Sequence, residues 1–163
     1  MEKIALITGS SRGIGRAIAR ELAREGWRVC INYRVRRDCA ESLMEEITAF
    51  GGETMIYGAD VAVREEVNAM VAAIEEKWGE VSLLVNNAGV AGQALFQDVT
   101  DELWHRYFSV NIDGAYHTTQ AVLRPMLRQH EGCIINVSSM LTGPSIKKNF
   151  PAAVPPPPTT SWR

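Results

Sequence analysis

Short apolar runs alternate with longer segments whose apolar residues recur every three or four positions, and the alternation repeats four times before residue 100. A short apolar run bounded by turn formers reads as a buried strand, and three-to-four spacing reads as a helix with one face on a sheet. Lys3 to Thr8 predicts a first strand. Ile14 to Glu25, apolar at Ile14, Ala17, Ile18 and Leu22, predicts a helix closed by Gly26. The same reading gives a strand at Arg28 to Tyr33, a helix from about Asp38 to Phe50 ended by Gly51-Gly52, and a strand at Glu53 to Tyr57. A helix at Arg64 to Trp78 follows, with Asp60 placed to cap it, and then a strand at Ser82 to Asn86. Asp101 to Gln129 predicts a long helical stretch bent near Gly114, and Cys133 to Val137 a fifth strand.

Strand and helix in strict alternation imply an α/β fold, a parallel sheet covered on both faces. Trp78, Trp104 and Phe108 fall where helices pack on that sheet and read as core or groove residues. After Ser139 the pattern stops. Six of the seven prolines lie from Pro144 onward, and no acidic residue follows Glu131. Such a segment cannot sustain helix or strand hydrogen bonding, so residues 140–163 are expected to form an extended or disordered tail, distinct from a domain over residues 1–139.

Composition narrows the function classes. With 46% hydrophobic residues in 163, the chain can bury a core. Seventeen basic against 19 acidic residues leave a net charge of −2, which gives no footprint for nucleic acid or an anionic membrane surface. Met1-Glu2-Lys3 runs straight into a short apolar segment, unlike a secretion signal or membrane span, and a cytoplasmic location is expected. Cys30, Cys39 and Cys133 show no paired spacing and are expected as buried thiols. His105, His117 and His130 have no metal-ligand spacing and read as helix-surface residues, so no metal is expected.

The chemistry begins at Thr8-Gly9-Ser10-Ser11-Arg12-Gly13-Ile14-Gly15, between the first strand and the first helix. Gly9 suits a tight turn, Gly13 lets backbone approach a pyrophosphate, and Gly15 lets the helix pack closely on the strand. The helix N-terminus would offer unpaired N–H groups and partial positive charge to the phosphates. This is a Rossmann-type arrangement, doubly wound, with about five strands. In such a site the end of the second strand faces the adenosine ribose, where an acid would accept from the 2′-hydroxyl. Asn32-Tyr33-Arg34 stands there instead, and Arg34, Arg12, Arg36 and Arg37 together favour a 2′-phosphate, hence NADP(H) over NAD(H). A solvated arginine face remains the alternative, because Arg12 and Arg34 come from different loops that must converge.

TGSSRGIG, Asp60-Val61, NNAG at Asn86 to Gly89, Asn111, and NVSS at Asn136 to Ser139 follow one another in this order. Together they resemble the short-chain dehydrogenase/reductase family, and within it the bacterial 3-oxoacyl-[acyl-carrier-protein] reductases, over residues 1 to about 139. The resemblance implies that Gly9, Ser11, Arg12, Gly13, Ile14, Gly15 and Arg34 bind the cofactor. It implies that Asp60 and Val61 read the adenine edge, and that Asn87, Ala88 and Gly89 line the cleft. It implies a catalytic role for Ser139, which would bond the substrate carbonyl, and for Asn111, which would support a water in a proton relay. Read from its position alone, Asn111 fits an interhelical hydrogen bond equally well. The substrate implied is a small carbonyl compound or acyl thioester, and the assembly a tetramer.

Hydride transfer to a carbonyl needs a proton donor. In the family this is a tyrosine about a dozen residues past the serine, with a lysine one helical turn further on to lower its pKa. Here that stretch reads Pro151-Ala152-Ala153 and runs on into Pro155 to Pro158. The tyrosines are Tyr33, Tyr57, Tyr107 and Tyr116, and none has a lysine four positions on. Lys147 and Lys148 read as a solvated pair. A truncated or frameshifted, catalytically impaired reductase is therefore expected, with interface elements of the tetramer missing and its fifth strand an exposed edge. A non-catalytic dinucleotide-binding fragment and an unstable remnant are the alternatives.

Overall fold

The computed structural model describes residues 2–92 and 95–138. Five parallel strands, β1 (Ile4–Ile7), β2 (Arg28–Tyr33), β3 (Thr54–Gly58), β4 (Leu83–Asn86) and β5 (Cys133–Asn136), form one sheet in the order β3-β2-β1-β4-β5. The chain moves outward from β1 through β2 to β3, then returns to the other side of β1 for β4. That reversal leaves a crevice between the carboxyl ends of β1 and β4, where the helices diverge to opposite faces.

Alternation along β1 shows why its sequence is apolar without a break. Ile4 and Leu6 point into one core with Leu84, Met70, Ile74 and Trp78. Ala5 and Ile7 point into the other with Ile31, Ala19, Leu43 and Ile47. All four residues of β1 are fully buried. A strand covered on both faces carries no polar side to expose, and each large aliphatic side chain so buried contributes about 1.5–3 kcal/mol.

The helices are α1 (Gly13–Arg24), α2 (Arg37–Ala49), α3 (Arg64–Trp78), α4 (Asp101–Phe108) and α5 (Gly114–Gln129). Gly26 and Gly51 follow α1 and α2 at φ +81° and +83°, the left-handed geometry that ends a helix. Asp60 does not cap α3. Val63 stands at that position without a side-chain bond, because the Asp60 carboxylate accepts the Ala62 N–H at 3.0 Å and so shapes the turn before the helix. Thr100 does cap α4, accepting the Leu103 N–H at 3.3 Å.

The long helix expected from Asp101 to Gln129 is interrupted by a π-turn, Ser109–Asp113, directly before Gly114. Trp104 and Phe108 stack on each other, ring centroids 4.5 Å apart. They are 48% and 45% exposed, so of the core-or-groove reading the core half holds for Trp78, which is buried, and not for these two. Nor are all three cysteines buried: Cys30 is, Cys39 is half-buried, and Cys133 is exposed. β5 pairs with β4 alone among the described residues, and Ile135 on it is 46% exposed, as expected of an edge strand. No helix among the described residues is long and apolar enough to cross a membrane.

Candidate functional site

A cleft of about 330 Å³ opens at the carboxyl ends of the strands. Gly9, Ser11, Arg12 and Gly13 line it from the glycine loop, Asn32 to Arg36 from the end of β2, and Ala59 to Val61 from the end of β3. Asn87 to Val90 line it from the end of β4, with Val110 from the π-turn. Nearly every expected cofactor residue therefore borders one space, including Arg12 and Arg34 from their separate loops. Ile14 and Gly15 do not border it: Ile14 is exposed on the first turn of α1, and Gly15 is buried beneath the loop.

The glycine loop is held by polar struts inside the apolar sheet. Ser10 and Asn32 bond reciprocally: the Ser10 N–H donates to the Asn32 carbonyl at 2.9 Å, and the Asn32 N–H donates to Ser10 Oγ at 3.1 Å. Asn32 Oδ1 accepts the Gly9 N–H at 3.0 Å, and its Nδ2 donates to the Ala59 carbonyl at 3.0 Å. Both residues are almost wholly buried, where unpaired polar groups would be costly, and these bonds satisfy them. Neither residue belongs to the set that the family resemblance points to. Asn32 carried a signal, a polar residue inside an otherwise apolar strand.

Across the crevice, Thr8 Oγ1 accepts the N–H groups of Asn87 and Ala88 at 3.0 and 2.9 Å. Asn87 Nδ2 donates to the Thr8 and Gly9 carbonyls at 2.9 and 3.2 Å. The Asn87 side chain thus locks the β1 and β4 loops together as well as bordering the cleft.

The glycines divide their work by geometry. At Gly9, φ is +61°, and a Cβ would lie 2.9 Å from Ala88 Cα. At Gly15 a Cβ would lie 2.9 Å from the Gly9 carbonyl oxygen and collide with Asn87 Nδ2. Gly13, which borders the cleft, has φ +60° and no atom within 4 Å of a Cβ position. The α1 N-terminus beside it carries no side-chain cap, so its first N–H groups remain available to an anion.

The charged groups sort themselves by partner. Arg34 Nη1 lies 3.2 Å from Asp60 Oδ2, bridging the ends of β2 and β3. Arg36 and Arg37 are engaged elsewhere, with Asp38 at 2.8 Å and Glu41 at 2.8 Å. Hydrogen bonding to Arg36 holds the Asp38 carboxyl down at about 2. Arg12 and Arg34 are thus the two arginines of the expected four that stand toward the cleft without a carboxylate neighbour in their own turn.

Asn111, within the π-turn, bonds to the Val90 backbone through both halves of its amide, and Gly89 passes close beneath: a Cβ there would lie 3.2 Å from Asn111 Oδ1. His117, expected on the helix surface, is half-buried and bonded to the Val61 carbonyl, with no sequence signal to distinguish it from His105 or His130. Ser139, Lys147, Lys148 and the proline-rich tail lie outside the described residues.

A doubly wound parallel sheet with a glycine loop at its switch point defines a dinucleotide-binding α/β protein. The chain belongs to the short chain dehydrogenase family, whose profile matches residues 3–150. It is 42% identical over 141 residues to the 3-oxoacyl-[acyl-carrier-protein] reductase FabG of Staphylococcus epidermidis, covering 86% of this chain and 58% of that one. It is 44% identical over 156 residues to the L-rhamnose 1-dehydrogenase (NAD(P)(+)) of Azotobacter vinelandii, covering 92% and 61%. Among solved structures it resembles a variant of actinorhodin polyketide ketoreductase crystallised with NADPH. The TM-score is 0.81 and the identity 36%, over 85% of this chain and 53% of that one. The chain thus spans somewhat more than half the length of these relatives.

Proposed function

We propose that this chain binds NADP(H) in the cleft and derives from a carbonyl reductase acting on a small carbonyl compound or acyl thioester. The observation that carries the reading is the convergence of Arg12 and Arg34 on one cleft whose β2 end has no acid. An acid there would repel a 2′-phosphate, whereas a guanidinium pairs with it through two N–H groups. The residues present fit the group: Gly13 leaves open space where a side chain would obstruct a pyrophosphate, and the uncapped α1 N-terminus faces the same space. In this reading Asp60 and Val61, which border the cleft, read the adenine edge, and Asn87, Ala88 and Gly89 give the backbone room near the ribose.

Bound NADPH supplies a hydride to a carbonyl carbon. This chain's own residues would bind and orient it. Ser139 is assigned to hold the substrate carbonyl by hydrogen bonding, and Asn111 to fix the loop beside it. The proton that must reach the nascent alkoxide has no assigned donor, since no tyrosine here is followed by a lysine four positions on. The reading is therefore cofactor binding without turnover by these 163 residues alone.

Titration of the chain against NADPH, followed by the nicotinamide fluorescence, tests the first part. Absorbance of NADPH in the presence of a β-keto thioester tests the second. Saturable binding with no NADPH loss above background is expected. Failure to bind overturns the cofactor reading, and turnover overturns the missing-donor argument.

A further inference from the structure

The segment that borders the adenosine end of the cleft is held from behind by α5. His117 Nδ1 lies 3.1 Å from the Val61 carbonyl oxygen. A carbonyl only accepts, so Nδ1 carries a proton and donates in this contact. One turn earlier, Gly114 lets the helix settle directly onto Val61: a Cβ there would lie 2.7 Å from Val61 Cγ2. Val61 and Val110 share one small buried cluster beneath the cleft.

The carbonyl that His117 holds belongs to the Val61–Ala62 peptide, and the N–H of that same peptide donates to Asp60 Oδ1 at 3.0 Å. A peptide unit is planar, so fixing its oxygen also fixes its N–H. Asp60 Oδ2 in turn meets Arg34 at 3.2 Å. The contacts therefore run from His117 through one rigid peptide to the Asp60 carboxylate, and from there to the guanidinium assigned to the 2′-phosphate. His117 itself does not border the cleft.

We infer that His117 is a positioning residue for the adenosine half of the cofactor, aligning Asp60 and Arg34 through the Val61–Ala62 peptide. The inference rests on the NADP(H) reading above. It predicts a separation between the two ends of the cleft, because the Val90 wall is held by Asn111 and not by His117.

The test uses two probes, adenosine 2′,5′-bisphosphate for the adenosine half and reduced nicotinamide mononucleotide for the other. His117→Ala is expected to weaken the bisphosphate by about five- to tenfold, the scale of one well-placed hydrogen bond, and to leave the mononucleotide unchanged. His117→Asn, whose amide can donate from nearly the same place as Nδ1, is expected to restore binding. Equal bisphosphate affinity in wild type and His117→Ala overturns the inference, as does an equal loss for both probes or a failure of His117→Asn to restore. A His117→Ala chain that does not fold also counts against it, since the contact would then serve the whole domain. Wild-type chain that does not bind the bisphosphate at all overturns the NADP(H) reading itself, a result distinct from each of these.

Discussion

Asn111 grips the backbone of Val90 on both sides, its Oδ1 accepting the Val90 N–H at 2.9 Å and its Nδ2 donating to the Val90 carbonyl at 3.0 Å. A regular helix from Asp101 to Gln129 would place one residue fewer in this turn. The π-turn Ser109–Asp113 supplies the extra residue, as such turns commonly do at functional sites.

Replacing Asn111 with alanine removes both bonds while changing little buried surface. Each is worth about 1 kcal/mol net at most, less where exposed as here, so Asn111→Ala is expected to lower unfolding stability by about 1 kcal/mol. Asn111→Asp keeps the acceptor but turns a carboxylate oxygen toward the Val90 carbonyl, and is expected to be no better. Urea midpoints at an unchanged slope would measure both.

Two glycines of one loop should fail in different ways. Gly15→Ala places a methyl group against the Gly9 carbonyl and Asn87, so it should cost about 1–3 kcal/mol of stability. Gly13→Ala meets nothing within 4 Å, so only its positive φ is strained, at about 1–2 kcal/mol. Gly13 borders the cleft and Gly15 does not, so NADPH affinity should fall more than for Gly15→Ala once both are compared as folded proteins. Thermal melts with and without NADPH separate the two effects.

Arg34 provides the test of cofactor choice. Arg34→Ala should weaken NADPH by about tenfold or more, the scale of a lost charge-assisted pair, while NADH affinity stays near the wild-type value. Because the site opens to solvent, the difference between the two cofactors should shrink as salt is raised. Equal losses for NADPH and NADH would show that Arg34 acts on something other than the 2′-phosphate.

Much of this arrangement is readable in the sequence, for a physical reason. Strands buried on both faces must be continuous apolar runs, so β1, β2 and β4 announce themselves, and the glycine spacing places the loop between β1 and α1. What is not readable depends on contacts between residues far apart in the chain. His117 meets Val61, and Asn32 meets Gly9, only after the sheet has formed. Asp60 stands where a cap is expected, yet its two oxygens are claimed by the Ala62 N–H and Arg34. Trp104 and Phe108 have the spacing of a covered face, but helical spacing records only that a face is apolar, not what lies against it.

Cys30 makes stability depend on alkaline pH. Complete burial pushes its thiol up to about 12 from an ordinary value of 9.0, with the Lys77 charge pulling weakly the other way. Below about 9 the thiol is protonated in both folded and unfolded chains and adds no slope. Between about 9 and 12 only the unfolded thiol ionises, so stability should fall as pH rises through that window. Cys30→Ala should remove this part of the slope despite its lower overall stability. A thiol reagent at neutral pH should modify Cys133 readily in the folded chain and spare Cys30 until the chain is unfolded.

If the cleft bordered by Arg12 and Arg34 is an NADP(H) site in a domain that folds around it, the melting temperature of the wild-type chain should distinguish NADPH from NADH at equal concentration. A ligand that binds only the folded chain raises the melting temperature, and at equal concentration the tighter binder raises it more. A clear rise with NADPH and a smaller one with NADH are expected. No rise with NADPH, or equal rises with both, would contradict the NADP(H) reading.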